Sequence, residues 1–174
     1  MTLTIRAAQP SDVLDLHRFI LALAQDEEFP GKVTARPDDL EVALFGPEPA
    51  ARAVVAERDG AAIGSAIYVF GYSTITGCRT LHLDDLYVVP EQRDRGVGRR
   101  LLAELARIAV DGGCSRFEWW VLRTNEPALR LYRRLGARTL DEIDVMRLEG
   151  TPLAELASAA EGPAGPEQRG QPEG

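Results

Sequence analysis

The sequence is poor in residues that bind metals or form disulfides. Cysteine and histidine each occur twice, as Cys78, Cys114, His17 and His82. None of their spacings is that of a metal site, so we expect no catalytic metal. The two cysteines are expected to be reduced thiols. Cys114 has no histidine partner nearby in the sequence, which favours a structural thiol over an acyl carrier.

The sequence also lacks a long apolar run and an excess of basic residues. No apolar stretch is long enough to span a bilayer. Arg6, Gln9 and Asp12 interrupt the first one, which does not fit a secretory signal, and we expect a cytoplasmic protein. The formal net charge of −7 argues against non-specific binding to nucleic acid or to a membrane surface, because both attract basic proteins. It is compatible with a cationic ligand.

The spacing of apolar residues predicts alternating strands and helices. The chain has 174 residues, of which 45% are hydrophobic, and this suits a single domain with a sizeable core. Helices are predicted at residues 13–23, after Pro37, at 98–110 and at 125–135. Strands are predicted at residues 2–7, 53–57, 63–70, 80–89, 117–122, 137–140 and 143–148. This order favours a mixed α/β domain.

The end of the chain differs in composition from the rest. Residues 161–174 include seven glycines or prolines and no large apolar side chain. Such a segment cannot offset the entropy that it would lose on ordering. We therefore predict a folded domain over residues 1–150 and a disordered tail over residues 151–174.

A glycine-containing basic turn, Arg93-Asp94-Arg95-Gly96-Val97-Gly98, connects an apolar strand to the clearest helix. Its glycines allow the backbone to approach a ligand, and the helix start favours a phosphate. A dinucleotide fingerprint would need glycine at position 101, where Leu101 stands, and a P-loop would need lysine in place of Arg99. The alternative is an ordinary connection with solvated arginines.

A second segment follows about thirty residues later, with Asn125, Ala128, Tyr132, Gly136 and Ala137 at fixed spacing. In this order the two segments resemble the two signatures of GNAT acetyltransferases. The resemblance extends over residues 4–148. It implies an α/β GNAT fold, with a mixed twisted central sheet of about six to seven strands flanked by about four helices. It also implies acetyl-CoA as cosubstrate.

Four further segments, residues 72–77, 83–88, 113–117 and 131–132, are similar to the spermidine/spermine N-acetyltransferase branch. That branch includes diamine and thialysine acetyltransferases, so the resemblance implies a small primary amine as acceptor and a homodimer. Ile75 stands where many members have tryptophan, which argues against recognition of a long polyamine.

The same resemblance implies roles for individual residues. Tyr132 would protonate the departing CoA thiolate, although a tyrosine that packs helix to sheet is the alternative. Asn125 would contact CoA and also cap its helix. The implied cofactor-binding residues are Leu86, Tyr87, Val88, Arg93, Asp94, Arg95, Gly96, Val97, Gly98, Arg99, Asn125 and Tyr132.

Acidic residues supply the remaining chemistry. An alkylamine with a pKa of about 10.4 must lose a proton before it attacks a thioester, at a cost of about 4–5 kcal/mol at neutral pH. By resemblance, Asp84 stands where the branch has a glutamate base, while Asp85 and Glu27 bind the substrate amine. Alternatively, a strand carboxylate pairs with an arginine, and Glu27 belongs to a solvated helix end. Adjacent strand residues face opposite sides, so both aspartates enter one site only with a bulge.

The leading interpretation is direct acetyl transfer from acetyl-CoA to a polyamine, a diamine or a lysine-like amino acid. A second interpretation is an acetyltransferase for an antibiotic or a peptide N-terminus. A third, from a different class, is a non-catalytic sensor that binds acyl-CoA.

Overall fold

The computed structural model describes residues 2–28 and 31–160, and within them it contains five strands and five main helices. The strands are β1 (Leu3–Ala7), β2 (Arg52–Arg58), β3 (Ala61–Ser73), β4 (Cys78–Val88) and β5 (Cys114–Trp119). The helices are α1 (Val13–Asp26), α2 (Pro37–Phe45), α3 (Val97–Asp111), α4 (Glu126–Arg134) and α5 (Gly150–Ser158). Among the described residues, no helix combines the length and the apolar character needed to cross a membrane.

The five strands form one sheet in sequence order. Strands β1 to β4 are antiparallel to their neighbours, and β5 runs parallel to β4. The pairing of β4 with β5 begins at Arg79 and Cys114 and ends at Leu83 and Trp119. Residues 84–88 of β4 therefore continue without β5 beside them, and the sheet opens at this point.

Helices cover both faces of the sheet. On one face α3 buries Leu101 and Leu105 against a core that includes Leu81 of β4. On the other face Leu16 of α1 packs in a second cluster with Ile67 of β3. The period-2 pattern of the strands and the 3.6-residue pattern of the helices account for these two cores.

Ion pairs tie the start of α1 to the sheet edge. The Arg6 guanidinium donates to both oxygens of Asp12, at 2.7 and 2.9 Å, and to Glu57 Oε2 at 2.9 Å. The hydrogen bonds from Arg6 lower the pKa of Asp12. The entry of α1 is thus fixed to β1 and β2 by a charge-assisted network.

The end of the chain differs from the sequence-based prediction. The chain divides between Gly136 and Ala137 into two compact units. The strands predicted at 137–140 and 143–148 do not form, because the alternating apolar pattern there has no strand paired with it in the described residues. Within the part of the chain that the structure describes, the sheet therefore has five strands and not the predicted six or seven, and there are five main helices and not four.

The predicted tail is also partly wrong, since residues 150–158 form α5. A proline in the first turn and apolar residues three apart, Leu153 and Leu156, are local helix signals that the composition of the last residues obscured. Residues 161–174 lie outside the described part of the chain, so the disorder predicted there stays a prediction.

Replacement of Leu105 tests the core beneath α3. Leu105 is 0% exposed, so Leu105→Ala should lower the free energy of unfolding by about 3 kcal/mol through lost burial and the cavity that remains. Val110→Ala on the same helix, at a side chain 76% exposed, should change it by less than about 0.5 kcal/mol. Urea denaturation followed by circular dichroism measures both, and equal losses would contradict the assigned core.

Candidate active site

The opening in the sheet lies beside the start of α3. Gly96, with φ 77°, occupies the N-cap position in the left-handed region, and Asp94 just before it has φ 58°. The first backbone hydrogen bond of α3 runs from the Arg100 amide to the Gly96 carbonyl. The amides of Val97, Gly98 and Arg99 precede it, so helix geometry leaves them without a helical acceptor. Such a terminus attracts an anion.

The arginines of the turn have different environments. Arg93 donates from Nε to the Val88 carbonyl at 2.8 Å, forms an ion pair with Asp26 and lies over the Tyr87 ring. Its guanidinium thus joins the turn to β4 and to the end of α1. Arg95 and Arg99, which are exposed like Arg93, lie beside the helix start. These two are better placed than Arg93 to meet a phosphate.

Gly98 faces the apolar side of the opening. A β-carbon there would lie 3.8 Å from Leu86 Cδ2 and 3.9 Å from Leu131 Cδ2. These are ordinary contact distances, so the surrounding protein does not require glycine at this position. The Tyr87 side chain is buried and packs against the Phe19 ring at 5.4 Å. Only the backbone of Tyr87 can therefore serve a ligand at the strand edge.

A β-bulge in β4 separates the two adjacent aspartates. Ile67 of β3 pairs with Asp85 and Tyr68 pairs with Leu83, which leaves Asp84 as an inserted residue. Asp84 is exposed, whereas Asp85 is half-buried. Because residues paired across strands share a face, Asp85 lies on the face of Ile67, towards α1. Bulges commonly redirect side chains beside active sites.

Asn125 links the end of α1 to the start of α4. Its Oδ1 accepts a hydrogen bond from the Ala128 amide at 3.2 Å, which is the predicted helix cap. Its Nδ2 donates to Glu27 Oε1 at 3.1 Å. Glu27 is therefore held by the segment that carries Tyr132, and it is not simply a solvated helix end.

Burial and negative charge perturb two titratable groups of this site. The pKa of Asp85 is raised to about 6, chiefly by burial and then by the charges of Asp84 and Glu27. Burial also raises the pKa of Tyr132, with a further contribution from Glu27. At neutral pH the Tyr132 phenol is therefore protonated and able to donate, while Asp85 is close to its titration range.

Tyr132 also has a packing role. Its ring lies 4.9 Å from the Trp119 ring, between centroids, and it contacts the core beneath α3. Packing and catalysis are compatible here, because a fixed ring holds its hydroxyl in a fixed position.

Sequence reasoning missed Trp120 and Asp26. Trp120 directly follows β5 where the sheet opens; it is 63% exposed and its ring lies 4.8 Å from the His82 ring. The two consecutive tryptophans at the end of this strand are the sequence signal by which Trp120 could have been found. Asp26 binds Arg93, a partner 67 positions away that no local pattern reveals.

The remaining candidates are placed as follows. Leu86 and Val88 lie along the part of β4 that has lost β5, and both contact the core beneath α3. Cys78 and Cys114 are half-buried free thiols. In residues 2–28 and 31–160, no three histidine, cysteine, aspartate or glutamate side chains are grouped to hold a metal ion.

Comparison with known proteins gives a consistent result. Residues 18–137 match the acetyltransferase (GNAT) family. The thialysine N-epsilon-acetyltransferase of Sus scrofa is 37% identical over 164 residues, which cover 88% of this chain and 96% of that protein. The corresponding protein of Mus musculus is 36% identical over the same shares. An integron cassette protein of V. cholerae, 26% identical, superposes with a TM-score of 0.73 over 90% of this chain and 98% of its own. The chain therefore belongs to the GNAT acetyltransferase family and is an enzyme that transfers an acetyl group.

Proposed function

We propose that this enzyme transfers an acetyl group from acetyl-CoA to a primary amine of a small cationic acceptor, such as a diamine, a polyamine or a lysine-like amino acid. The observation that carries the proposal is the group of carboxylates, Asp84, Asp85 and Glu27, next to Tyr132 and the opened edge of β4. Negative charge at this place attracts an ammonium group. Relatives named for thialysine, 35–37% identical to this chain, support the same acceptor class.

Acetyl-CoA fits the other side of the opening. The amides that begin α3, with the charges of Arg95 and Arg99, suit its pyrophosphate. Residues 84–88 of β4 offer a strand edge without β5, whose backbone groups can bond to the amides of the pantetheine arm. Asn125 and Tyr132 border the same opening. When bound, acetyl-CoA supplies an activated acetyl group as a thioester.

The reaction needs one proton acceptor and one proton donor. The amine nitrogen attacks the carbonyl carbon, a C–N bond forms and the C–S bond breaks. The proton of the ammonium passes to a carboxylate on β4, directly or through water. The Tyr132 phenol donates a proton to the departing thiolate, and the second proton, which the nitrogen loses as the amide forms, returns to the Tyr132 phenolate directly or through water. A donor with a raised pKa suits this role because it stays protonated at neutral pH.

As the family resemblance implies, we also propose that the enzyme is a homodimer.

The acceptor class is tested by a panel of amines. Thiol release from acetyl-CoA should show kcat/KM at least about tenfold higher for thialysine, a short diamine or spermidine than for a monoamine, an aminoglycoside or a peptide N-terminus. The monoamine and the peptide N-terminus lack the second positive charge with which a small acceptor can also pair with the carboxylates. The aminoglycoside has several positive charges, so its lower rate is expected from its larger size. A preference for the peptide or the aminoglycoside would show that the proposed acceptor class is wrong. The absence of thiol release with every amine would favour a non-catalytic sensor that binds acyl-CoA.

The leaving-group role is tested by Tyr132→Phe. This change removes the hydroxyl and keeps the ring against Trp119, so kcat should fall by about a hundredfold. The dissociation constant of acetyl-CoA, measured by calorimetry, should change by less than about twofold. Tyr72→Phe, at an exposed tyrosine of the β3–β4 hairpin, is the matched control. Unchanged kcat in Tyr132→Phe would leave Tyr132 with a packing role only.

The pyrophosphate site is tested by a double replacement, Arg95→Ala with Arg99→Ala. Loss of two exposed charges at the start of α3 should weaken acetyl-CoA binding about tenfold, and the difference should shrink as salt is added. Arg107→Ala, farther along the same helix and bonded to Glu104, should leave binding within about twofold. Equal affinities for the double variant and this control would place the pyrophosphate elsewhere.

A further inference from the structure

The two aspartates of β4 are adjacent in sequence but occupy different environments. Without the bulge, strand alternation would place them on opposite faces. With Asp84 inserted, Asp85 takes the position opposite Ile67 on the α1 face, where it is half-buried. Asp84 is left exposed, and its side chain is one methylene shorter than that of the glutamate it replaces by resemblance. The bulge in β4 therefore places Asp85, and not Asp84, in the interior of the site.

We propose that Asp85, and not Asp84, accepts the proton of the acceptor ammonium, while Asp84 and Glu27 provide the negative surroundings that attract it. This assignment rests on the proposed transfer of an acetyl group to an amine. It makes Asp85 the catalytic carboxylate and gives Asp84 an electrostatic role.

The surroundings of Asp85 support this role. Glu27 directly follows α1 and accepts a hydrogen bond from Asn125, which also caps the helix of Tyr132. No hydrogen-bond donor of the described residues stabilises the ionised form of Asp85; burial and two like charges oppose it. A carboxylate in such a place binds a proton more tightly than a solvated one.

The gain in basicity is large enough to matter. With a pKa of about 6, Asp85 binds a proton about a hundredfold more tightly than an aspartate at its usual 3.8. It is still mostly ionised at neutral pH, so it is available to accept a proton. Asp84 is exposed at the open edge, where water screens its charge.

Other charged groups near Asp85 do not alter the assignment. The titratable or charged side chains on the elements around Asp85 include Asp84 and His82 on β4, Asp26 at the end of α1 and Glu27 directly after it, Glu118 on β5, Tyr132 on α4, and Arg93 in the turn. Arg93 is paired with Asp26, and Glu118 with Arg116. The two negative groups that act on Asp85, Asp84 and Glu27, both raise its affinity for a proton.

The pH dependence of kcat/KM for thialysine distinguishes the two aspartates. In the unaltered enzyme the rate should rise as pH rises through about 6, because only the ionised carboxylate accepts a proton. Asp85→Asn should lower kcat about a hundredfold and abolish this rise, leaving activity that increases with the fraction of free amine. Asp84→Asn should lower kcat less than about fivefold and keep the rise, displaced to lower pH because a neighbouring negative charge is gone.

Controls separate this assignment from folding and from the proposed function. Asp111→Asn, at the exposed end of α3, is the matched replacement and should leave rate and pH profile unchanged. Acetyl-CoA affinity should be equal in all three variants, and Asp85→Asn should unfold at a temperature no lower than the unaltered enzyme, because a half-buried charge among like charges is removed. Loss of the rise in Asp84→Asn, or a higher KM with unchanged kcat and profile in Asp85→Asn, would overturn the assignment. Failure of the unaltered enzyme to acetylate any small amine would instead overturn the proposed function.

Discussion

The loss of pairing between β4 and β5 after Leu83 and Trp119 is the constraint on which the site depends. A strand that continues without its neighbour exposes a row of backbone donors and acceptors, which need partners. The opened edge runs directly into the glycine turn and the start of α3, a second set of unpaired donors. Two backbone surfaces with unpaired groups thus adjoin, and the proposed position of acetyl-CoA would pair its amide and phosphate groups with both.

The opposite side of the opening is controlled by charge. α1 is anchored at its start by Arg6 and Asp12 and at its end by Asp26 and Arg93. This fixes Glu27 near the bulge of β4, where like charges accumulate in a partly buried space. The arrangement raises the electrostatic energy of the empty protein, and a cation entering the site lowers it. Under the proposed function, the stability lost at this position is exchanged for affinity for an ammonium, a compromise typical of functional sites.

Local signals predicted much of the fold and part of the site. The turn at Gly96 and the helix after it follow from residues adjacent in sequence, and the structure confirms both. The face of the sheet on which Asp85 lies could not be predicted, because the bulge is a property of the register between β3 and β4. The partners of Arg93 and Glu27 lie 67 and 98 positions away, beyond any periodic pattern. The strands expected in residues 137–148 do not form for a related reason. Alternation of apolar and polar residues specifies which face of a strand is buried, but it does not supply a partner strand.

Asn125 shows how two demands can restrict a single position. Its carbonyl oxygen caps α4 and its amide nitrogen holds Glu27, so the two ends of one planar group serve two separate elements. Aspartate is an equally good cap, but it would present an oxygen to the Glu27 carboxylate and repel it. Serine would also cap the helix, but its single oxygen would have to meet both partners from one point. Few substitutions at residue 125 therefore preserve both contacts. A substitution that still caps α4 would nevertheless break the link between α4 and the residue that ends α1.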